Sequence, residues 1–178
     1  MNKIKQLKLK KLFSFFMSVP KQPKNANLII SLMYRDEKVY NEVLEILIKE
    51  FGEIKKQTEV FDFNFTKFYE EEFGKELKKI YLIFDQIQMV DIVKIKHYCF
   101  QIEMKYSQIG QRFINIDCGY VTKNSFVLAS FKERAHRIFV GDGVYVDLQL
   151  VKENKEWKSF KWTFPDIDKI KKLFLAKT

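Results

Sequence analysis

Several residue types that build well-known functional sites are scarce in this chain. Its 178 residues include two cysteines, Cys99 and Cys118, two histidines and four arginines. The cysteines form no Cys-x-x-Cys pair, which excludes a disulfide framework, and with two histidines they supply too poor a ligand set for a structural zinc site. We therefore expect a protein of the reducing cytoplasm, and we assign no metal.

Long apolar runs and the common catalytic motifs are also missing. The run LIISLM has the length of a strand and is far below the roughly 20 residues that a membrane span needs. A phosphate-binding loop, a Gly-x-Gly-x-x-Gly turn, a His-Glu-x-x-His helix and a Gly-x-Ser-x-Gly elbow are all absent. These absences exclude the usual nucleotide, zinc-protease and hydrolase sites, and the cofactor stays unknown.

The net charge of +9 is concentrated at the two ends of the chain. Residues 1–24 hold seven lysines and no acid, and residues 152–178 hold eight lysines against four acids. The body between them is close to neutral, and lysine in place of arginine weakens a nucleic-acid interpretation. We expect a basic leader at 1–24 and one domain over 25–178. The leader is either flexible or includes a mis-called start, with translation beginning at Met17. Leucine and lysine in the leader would also suit an anionic membrane surface.

The hydrophobic pattern predicts an α+β fold with a ferredoxin-like β-α-β-β-α-β core. The predicted strands are 26–34, 54–65, 77–87 and 112–121, the long helices are 35–52 and 89–110, and a short helix covers 66–74. Residues 122–134 fit a helix or a strand equally well. A C-terminal β-hairpin around Gly141-Asp142-Gly143 and a helix after Pro165 extend the core.

The segment NIDCGYVT is the first candidate site. Asp117 is expected at a strand end, Gly119 at a sharp turn, and Tyr120 and Thr122 present hydroxyl groups. Strand ends that lead into glycine turns are places where a scaffold holds a carboxylate toward a ligand. The alternative is an Asx turn, in which Asp117 binds backbone N–H groups.

The segment KERAHRIFVGDG, followed by Tyr145, is the second candidate. Its polar residues are Lys132, Arg134, His136, Arg137 and Asp142. Histidine titrates near neutral pH and suits proton transfer, whereas lysine and arginine suit a phosphate or a carboxylate. The alternative is a basic rim beside a hairpin turn.

Two weaker clusters follow different patterns. Asp62 and Asn64 alternate with phenylalanines, and Tyr69 and the run Glu70–Glu72 come next, so paired carboxylates there would suit a cation or acid–base chemistry. An amphipathic strand with a solvated helix explains the same pattern. His97 and Cys99 lie on different helix faces, and Cys99 is expected in the core.

The chain resembles the bacterial and archaeal family catalogued as domain of unknown function 4416. Three segments carry the resemblance, with Asn115, Asp117, Gly119 and Tyr120; then His136, Arg137, Ile138, Gly141, Asp142, Gly143 and Tyr145; then Trp162, Thr163, Pro165 and Asp166. Cys118 replaces an expected proline, which argues against a catalytic Cys118–His136 pair. Phe139 replaces an expected tyrosine, so a hydroxyl group is not required there. The resemblance runs from Met17 to the C-terminus and implies no activity. Some members carry a GTP-binding label, but the phosphate loop is missing here.

Our leading hypothesis is a cytosolic enzyme or binding protein for a small anionic ligand. Asp117, Tyr120 and His136 would be catalytic, and Arg137, Lys132, Asp142 and Tyr145 would bind the ligand, all at one end of the sheet. The alternative is an RNA- or protein-interaction module that uses an exposed sheet face or edge. Exposed aromatic rings at Phe61, Phe63 and Tyr81 would favour RNA, and a pocket joining His136 to Asp117 would favour the ligand.

Overall fold

The computed structural model describes residues 20–65, 70–109 and 111–175, which form an α+β fold. The elements are β1 (Ala26–Tyr34), α1 (Glu37–Phe51), β2 (Lys56–Gln57), β3 (Phe61–Asp62), α2 (Glu70–Phe73), β4 (Lys78–Ile87), α3 (Ile92–Lys105), β5 (Ser107–Gln108), β6 (Gln111–Arg112), β7 (Ile114–Val121), β8 (Ser125–Ser130), β9 (Ile138–Gly141), β10 (Val144–Glu153), β11 (Glu156–Ser159) and α4 (Ile167–Leu175). Residues 1–19 of the predicted leader lie outside the described residues. The helix predicted over 89–110 is shorter than expected, because α3 ends at Lys105 and Ser107–Gln108 form β5.

One antiparallel sheet of nine strands forms the centre of the fold. Its order is β11-β10-β8-β7-β1-β4-β2, with β3 also on β4 and β9 also on β10. The sheet is larger than the predicted core, because residues 125–130 form a strand and the C-terminal hairpin pairs with it. The elements expected as an extension are therefore part of the main sheet.

Capping residues set the two ends of α1, the helix that follows β1 in the chain. The Asp36 carboxylate caps its start by accepting hydrogen bonds from the backbone N–H groups of Lys38 at 2.7 Å and Val39 at 3.3 Å. Gly52 ends it in the left-handed region, with φ of 83°. Val43 and Leu47 are buried against the sheet, as the helical spacing predicts.

The sheet has one face toward α1 and α3, here called the two-helix face, and an opposite face toward α4, here called the α4 face. Alternate residues of β1 serve both faces: Leu28, Ile30 and Leu32 pack with α1 and α3, and Ile29 packs with Ile167 and Ile170 of α4. Burial on both sides explains why β1 reads as a continuous apolar run.

The structure corrects the expected turn at Gly119. This residue lies inside the continuous strand β7, opposite Ile29 on one side and Leu128 on the other. A Cβ atom there would lie 2.0 Å from the Val127 carbonyl oxygen. Glycine is needed because two strands approach closely, and Asp117 is consequently in mid-strand.

No helix in the described part of the chain is both long enough and apolar enough to cross a membrane.

Candidate functional site

The sheet splits between β7 and β8, and this split creates the candidate site. The two strands pair only from Gly119–Leu128 to Val121–Phe126. Within the described residues, the first half of β7 therefore has β1 on one side and no strand on the other. Side chains of α3 satisfy the exposed strand edge instead. The backbone N–H of Ile116 donates to Glu103 Oε1 at 2.7 Å, and its carbonyl accepts from Lys96 Nζ at 3.2 Å.

A cleft of about 510 Å³ opens at this split, here called the split-sheet cleft. Aromatic and polar side chains line it, including Phe100, Phe131 and Asn115. Its charged lining consists of five cations, Lys96, Arg112, Lys132, Arg134 and Arg137, and two carboxylates, Glu103 and Asp117. Asp117 thus shares a cavity with Lys132 and Arg137, although the two segments are distant in the sequence.

Asp117 forms the floor of the cleft. Its side chain is 34% exposed and accepts a hydrogen bond from Asn115 Nδ2 at 3.0 Å. Lys79 Nζ lies 4.0 Å from Asp117 Oδ2 and 2.7 Å from Asp166 Oδ2. The hydroxyl of Tyr81 donates to the same Asp166 oxygen at 2.5 Å. A buried polar network therefore runs from the cleft to the start of α4.

Arg137 forms a rigid wall of the cleft. Its Nε donates to Asp147 Oδ2 at 2.7 Å, and its Nη1 donates to Ser130 Oγ and to the Lys132 carbonyl, both at 2.8 Å. Asp147 is buried on β10 and also accepts a hydrogen bond from the Gln149 amide. These bonds fix the guanidinium plane before any ligand arrives.

His136 lies behind this wall and is not part of the cleft lining. Its ring stacks on Trp162 with centroids 5.0 Å apart, and its Nε2 lies 3.7 Å from Asp147 Oδ2. Trp162 is held in turn by its Nε1–H, which donates to the Leu148 carbonyl at 2.8 Å. The geometry links His136 to Arg137 through their shared partner, Asp147.

The sequence analysis did not predict the part of the cleft that is formed around Arg112. Arg112 donates to both carboxylate oxygens of Glu72, and its Nη1 lies 3.1 Å from Asn115 Oδ1 and 3.4 Å from Glu103 Oε1. These hydrogen bonds hold the pKa of Glu72 below its ordinary value, whereas burial raises the pKa of Glu103. One signal was present: Lys96 and Glu103 are opposite charges seven residues apart beside the apolar stripe of α3.

Besides His136, three predicted site residues lie outside the split-sheet cleft. Tyr120 is three residues from Asp117 on a regular strand, so it points to the two-helix face, where burial raises its pKa. Asp142 lies in the β9–β10 turn and lines a different cavity, with its carbonyl oxygen 2.8 Å from His97 Nε2. The ring of Tyr145 packs against Phe139 outside the cleft. The expectation that these residues meet Asp117 is corrected accordingly.

The weaker clusters resolve into structural roles. Asp62 pairs with Lys78 in the β3–β4 ladder, and Glu72 is the member of the acidic run that reaches Arg112. Tyr69 lies outside the described residues, as do the side chains of Glu70 and Glu71. Cys99 is buried, as predicted; a hydrogen bond with Cys118, together with burial, raises its pKa.

The aromatic rings proposed as an RNA platform are covered. Tyr81 is fully buried on the α4 face, and Phe61 and Phe63 are half-buried in packed clusters. Within the described residues no group of three or more histidine, cysteine or acidic side chains could hold a metal ion.

Comparison with known families now identifies the chain's relatives. The family model described as Domain of unknown function (DUF4416) matches residues 24–176. The chain belongs to this family. Of the residues on which the resemblance to this family rested, Asn115, Asp117 and Arg137 line the cleft, and Asp166 lies beneath it. No curated protein and no solved structure matches the chain.

Proposed function

We propose that the split-sheet cleft binds a small anionic ligand that carries a phosphate or carboxylate group. The observation that carries the proposal is the lining, in which five cationic side chains converge on one cavity with two carboxylates. Three of the cations, Lys132, Arg134 and Arg137, come from one short segment after β8. Guanidinium and ammonium groups at the mouth of a cavity favour an anion electrostatically.

The walls of the cleft support distinct roles. Arg137 is held by Asp147 and Ser130, so its guanidinium would orient the anion, while Arg134 and Lys132 would attract it from the rim. Asp117 would accept hydrogen bonds from hydroxyl groups of the ligand, since its carboxylate is partly exposed on the floor. His136 would position Asp147 rather than touch the ligand, because it lies behind Arg137.

We also propose a cytoplasmic location for the protein and a ferredoxin-like centre for the sheet around the cleft. Two buried cysteines without a disulfide support a cytoplasmic location. The strand order β7-β1-β4-β2 with α1 and α3 on one face supports a ferredoxin-like centre within the larger sheet. In that arrangement, β8 and the C-terminal hairpin are additions to the ferredoxin-like centre, and they form the side of the cleft that includes Arg137.

A thermal-shift screen tests the proposal. Inorganic phosphate, phosphosugars and dicarboxylates are added to the wild-type protein, to Arg134→Gln, and to Lys94→Gln as a matched loss of an exposed positive charge outside the cleft. We expect at least one class to raise the melting temperature of wild type and Lys94→Gln but not of Arg134→Gln. No shift by any class, or equal shifts in all three proteins, would exclude the cleft as the binding site.

The free edge of the sheet supports a second candidate, protein interaction. Among the strands that the structure describes, β9 pairs with β10 alone, and three consecutive apolar residues are exposed on it: Ile138 at 69%, Phe139 at 59% and Val140 at 41%. An exposed apolar edge strand is a template for pairing with another strand. If β9 joins two copies of the chain, Phe139→Lys should lower the mass measured by light scattering at high concentration; an unchanged mass argues against self-pairing.

A further inference from the structure

A second charged concavity lies at a different place on the sheet, around the β7–β8 turn, and the proposed function does not use it. Its volume is about 830 Å³. Five lysines line it, Lys24, Lys55, Lys56, Lys123 and Lys152, and no carboxylate is among its described lining residues. We call it the lysine groove. Asp85 pairs with Lys55 at 3.4 Å and is not part of that lining.

The chain topology brings these five lysines together from four separate segments. Lys24 precedes β1, Lys123 lies in the β7–β8 turn, and Lys152 is near the end of β10. The backbone N–H of Lys152 donates to the Asn124 carbonyl at 2.8 Å, which fixes β10 beside that turn. Lys152 Nζ also lies 5.6 Å from the centre of the Trp157 ring. Lysines from the near-neutral body and from both basic ends therefore meet in one concavity, whose described charged lining is of a single sign.

We propose that the lysine groove binds the sugar–phosphate backbone of single-stranded RNA. Lysine is a flexible point charge, so a groove of lysines suits repeated phosphates without selecting a sequence. Amide side chains of Asn25, Asn27 and Asn124 line the same surface and can bond to phosphate and to the ribose 2′-hydroxyl. This site is independent of the split-sheet cleft and of the buried aromatic face.

The shape and the flanking sequence favour a single strand over other polyanions. A flexible single strand enters a concavity and follows it, whereas a flat lipid surface contacts only the rim. The leader ends at the groove with Lys24 and carries six further lysines and no acid. Lys24 therefore joins the groove to a lysine-rich segment of the chain, whose charge would add to the attraction for a polyanion.

Fluorescence polarisation with a labelled 12-nucleotide oligouridine tests the proposal on the full chain. The groove variant changes the exposed lysines Lys24, Lys123 and Lys152 to Gln. The control variant changes the exposed lysines Lys38, Lys49 and Lys75 to Gln, which removes the same charge elsewhere. We expect the groove variant to bind about tenfold more weakly, and its log Kd against log salt slope to fall by about 2, since each phosphate contact contributes about 0.7. The control should stay within about twofold of wild type, on the same electrostatic argument.

Three outcomes would overturn the proposal. The first is equal weakening in both variants, because charge anywhere on the surface would then suffice. The second is unchanged binding by a groove variant whose melting temperature matches wild type. The third is absence of RNA binding together with groove-dependent binding to phosphatidylserine vesicles, which would assign the groove to a membrane surface.

Discussion

At the scale of single residues, Gly119 shows how closely β7 and β8 approach just beyond the point where they separate. Gly119→Ala would place a Cβ atom 2.0 Å from the Val127 carbonyl oxygen and 3.0 Å from Leu128 Cα. Because backbone atoms cannot move aside without breaking the strand pairing, we expect a loss of about 1–3 kcal/mol in unfolding free energy. Urea denaturation followed by circular dichroism measures it, and an unchanged midpoint would contradict the register of this ladder.

Asp166 is the residue on which the buried network beneath the cleft depends. Asp166→Asn removes the charge that neutralises Lys79, which is itself buried, so we expect a loss of about 3 kcal/mol in unfolding free energy. Glu156→Gln is the matched control, since Glu156 and Lys158 form an exposed pair whose loss should not shift the urea midpoint measurably. Equal effects of the two substitutions would show that Lys79 is not buried as described.

At the scale of elements, α3 serves as a substitute for a strand along the unpaired half of β7. Glu103→Ala leaves the Ile116 N–H without its acceptor, and we expect a loss of about 2 kcal/mol in unfolding free energy. Glu103→Gln keeps an acceptor and should lose less. Hydrogen exchange of the Ile116 amide should accelerate in the alanine variant; exchange as slow as in wild type would mean that another group closes this edge.

The Arg112–Glu72 pair ties α2 to β6, and it predicts a pH dependence. The folded protein holds the pKa of Glu72 below the ordinary 4.5, mainly through hydrogen bonds from Arg112. The unfolded chain therefore takes up the proton first as the pH falls, so this stabilisation is complete above pH 4.5 and is lost as the pH falls through the folded pKa. Urea midpoints of wild type and Glu72→Gln should differ at pH 7 and converge below pH 4.5. A constant difference would show that the pair does not carry the effect.

The secondary-structure elements followed largely from sequence, while their pairing did not. The Asp36 cap and the apolar spacing located α1, and the continuous apolar run located β1. Residues 125–130 alternate weakly because β8 is buried on both faces, so periodicity could not separate a strand from a helix. Strand 54–65 was predicted as one element, yet it pairs with β4 only through two short segments.

The candidate site was predictable only in part, because it also depends on how the strands pair. Asp117, Lys132 and Arg137 belong to segments whose residue types suit an anion site, and sheet pairing brings them together. Tyr120 was grouped with Asp117 because a turn was expected at Gly119, and a continuous strand instead places them on opposite faces. Arg112 and Glu103 contribute through long-range contacts with Glu72 and Ile116, and the charge pattern of α3 indicates Lys96 and Glu103 but not these partners.

At the scale of the whole molecule, the split-sheet cleft and the lysine groove are two concavities with mostly cationic linings, and they occupy different parts of one sheet. The split-sheet cleft mixes five cations with two carboxylates, which suits a small ligand with both anionic and hydroxyl groups. The lysine groove has charges of one sign, which suits a polyanion. A small anion should therefore prefer the cleft, where the guanidinium of Arg137 is already fixed.

Nuclear magnetic resonance titration of the ¹⁵N-labelled protein shows whether a small anion binds in the split-sheet cleft, as proposed. The titrant is inorganic phosphate or the best ligand of the thermal-shift screen. We expect saturable shifts of backbone amide signals at residues 115–117 and 130–137, with the same signals unmoved in Arg134→Gln. Shifts confined to the lysine groove, at residues 24–27 and 121–124, or no saturable shifts at all, would contradict it.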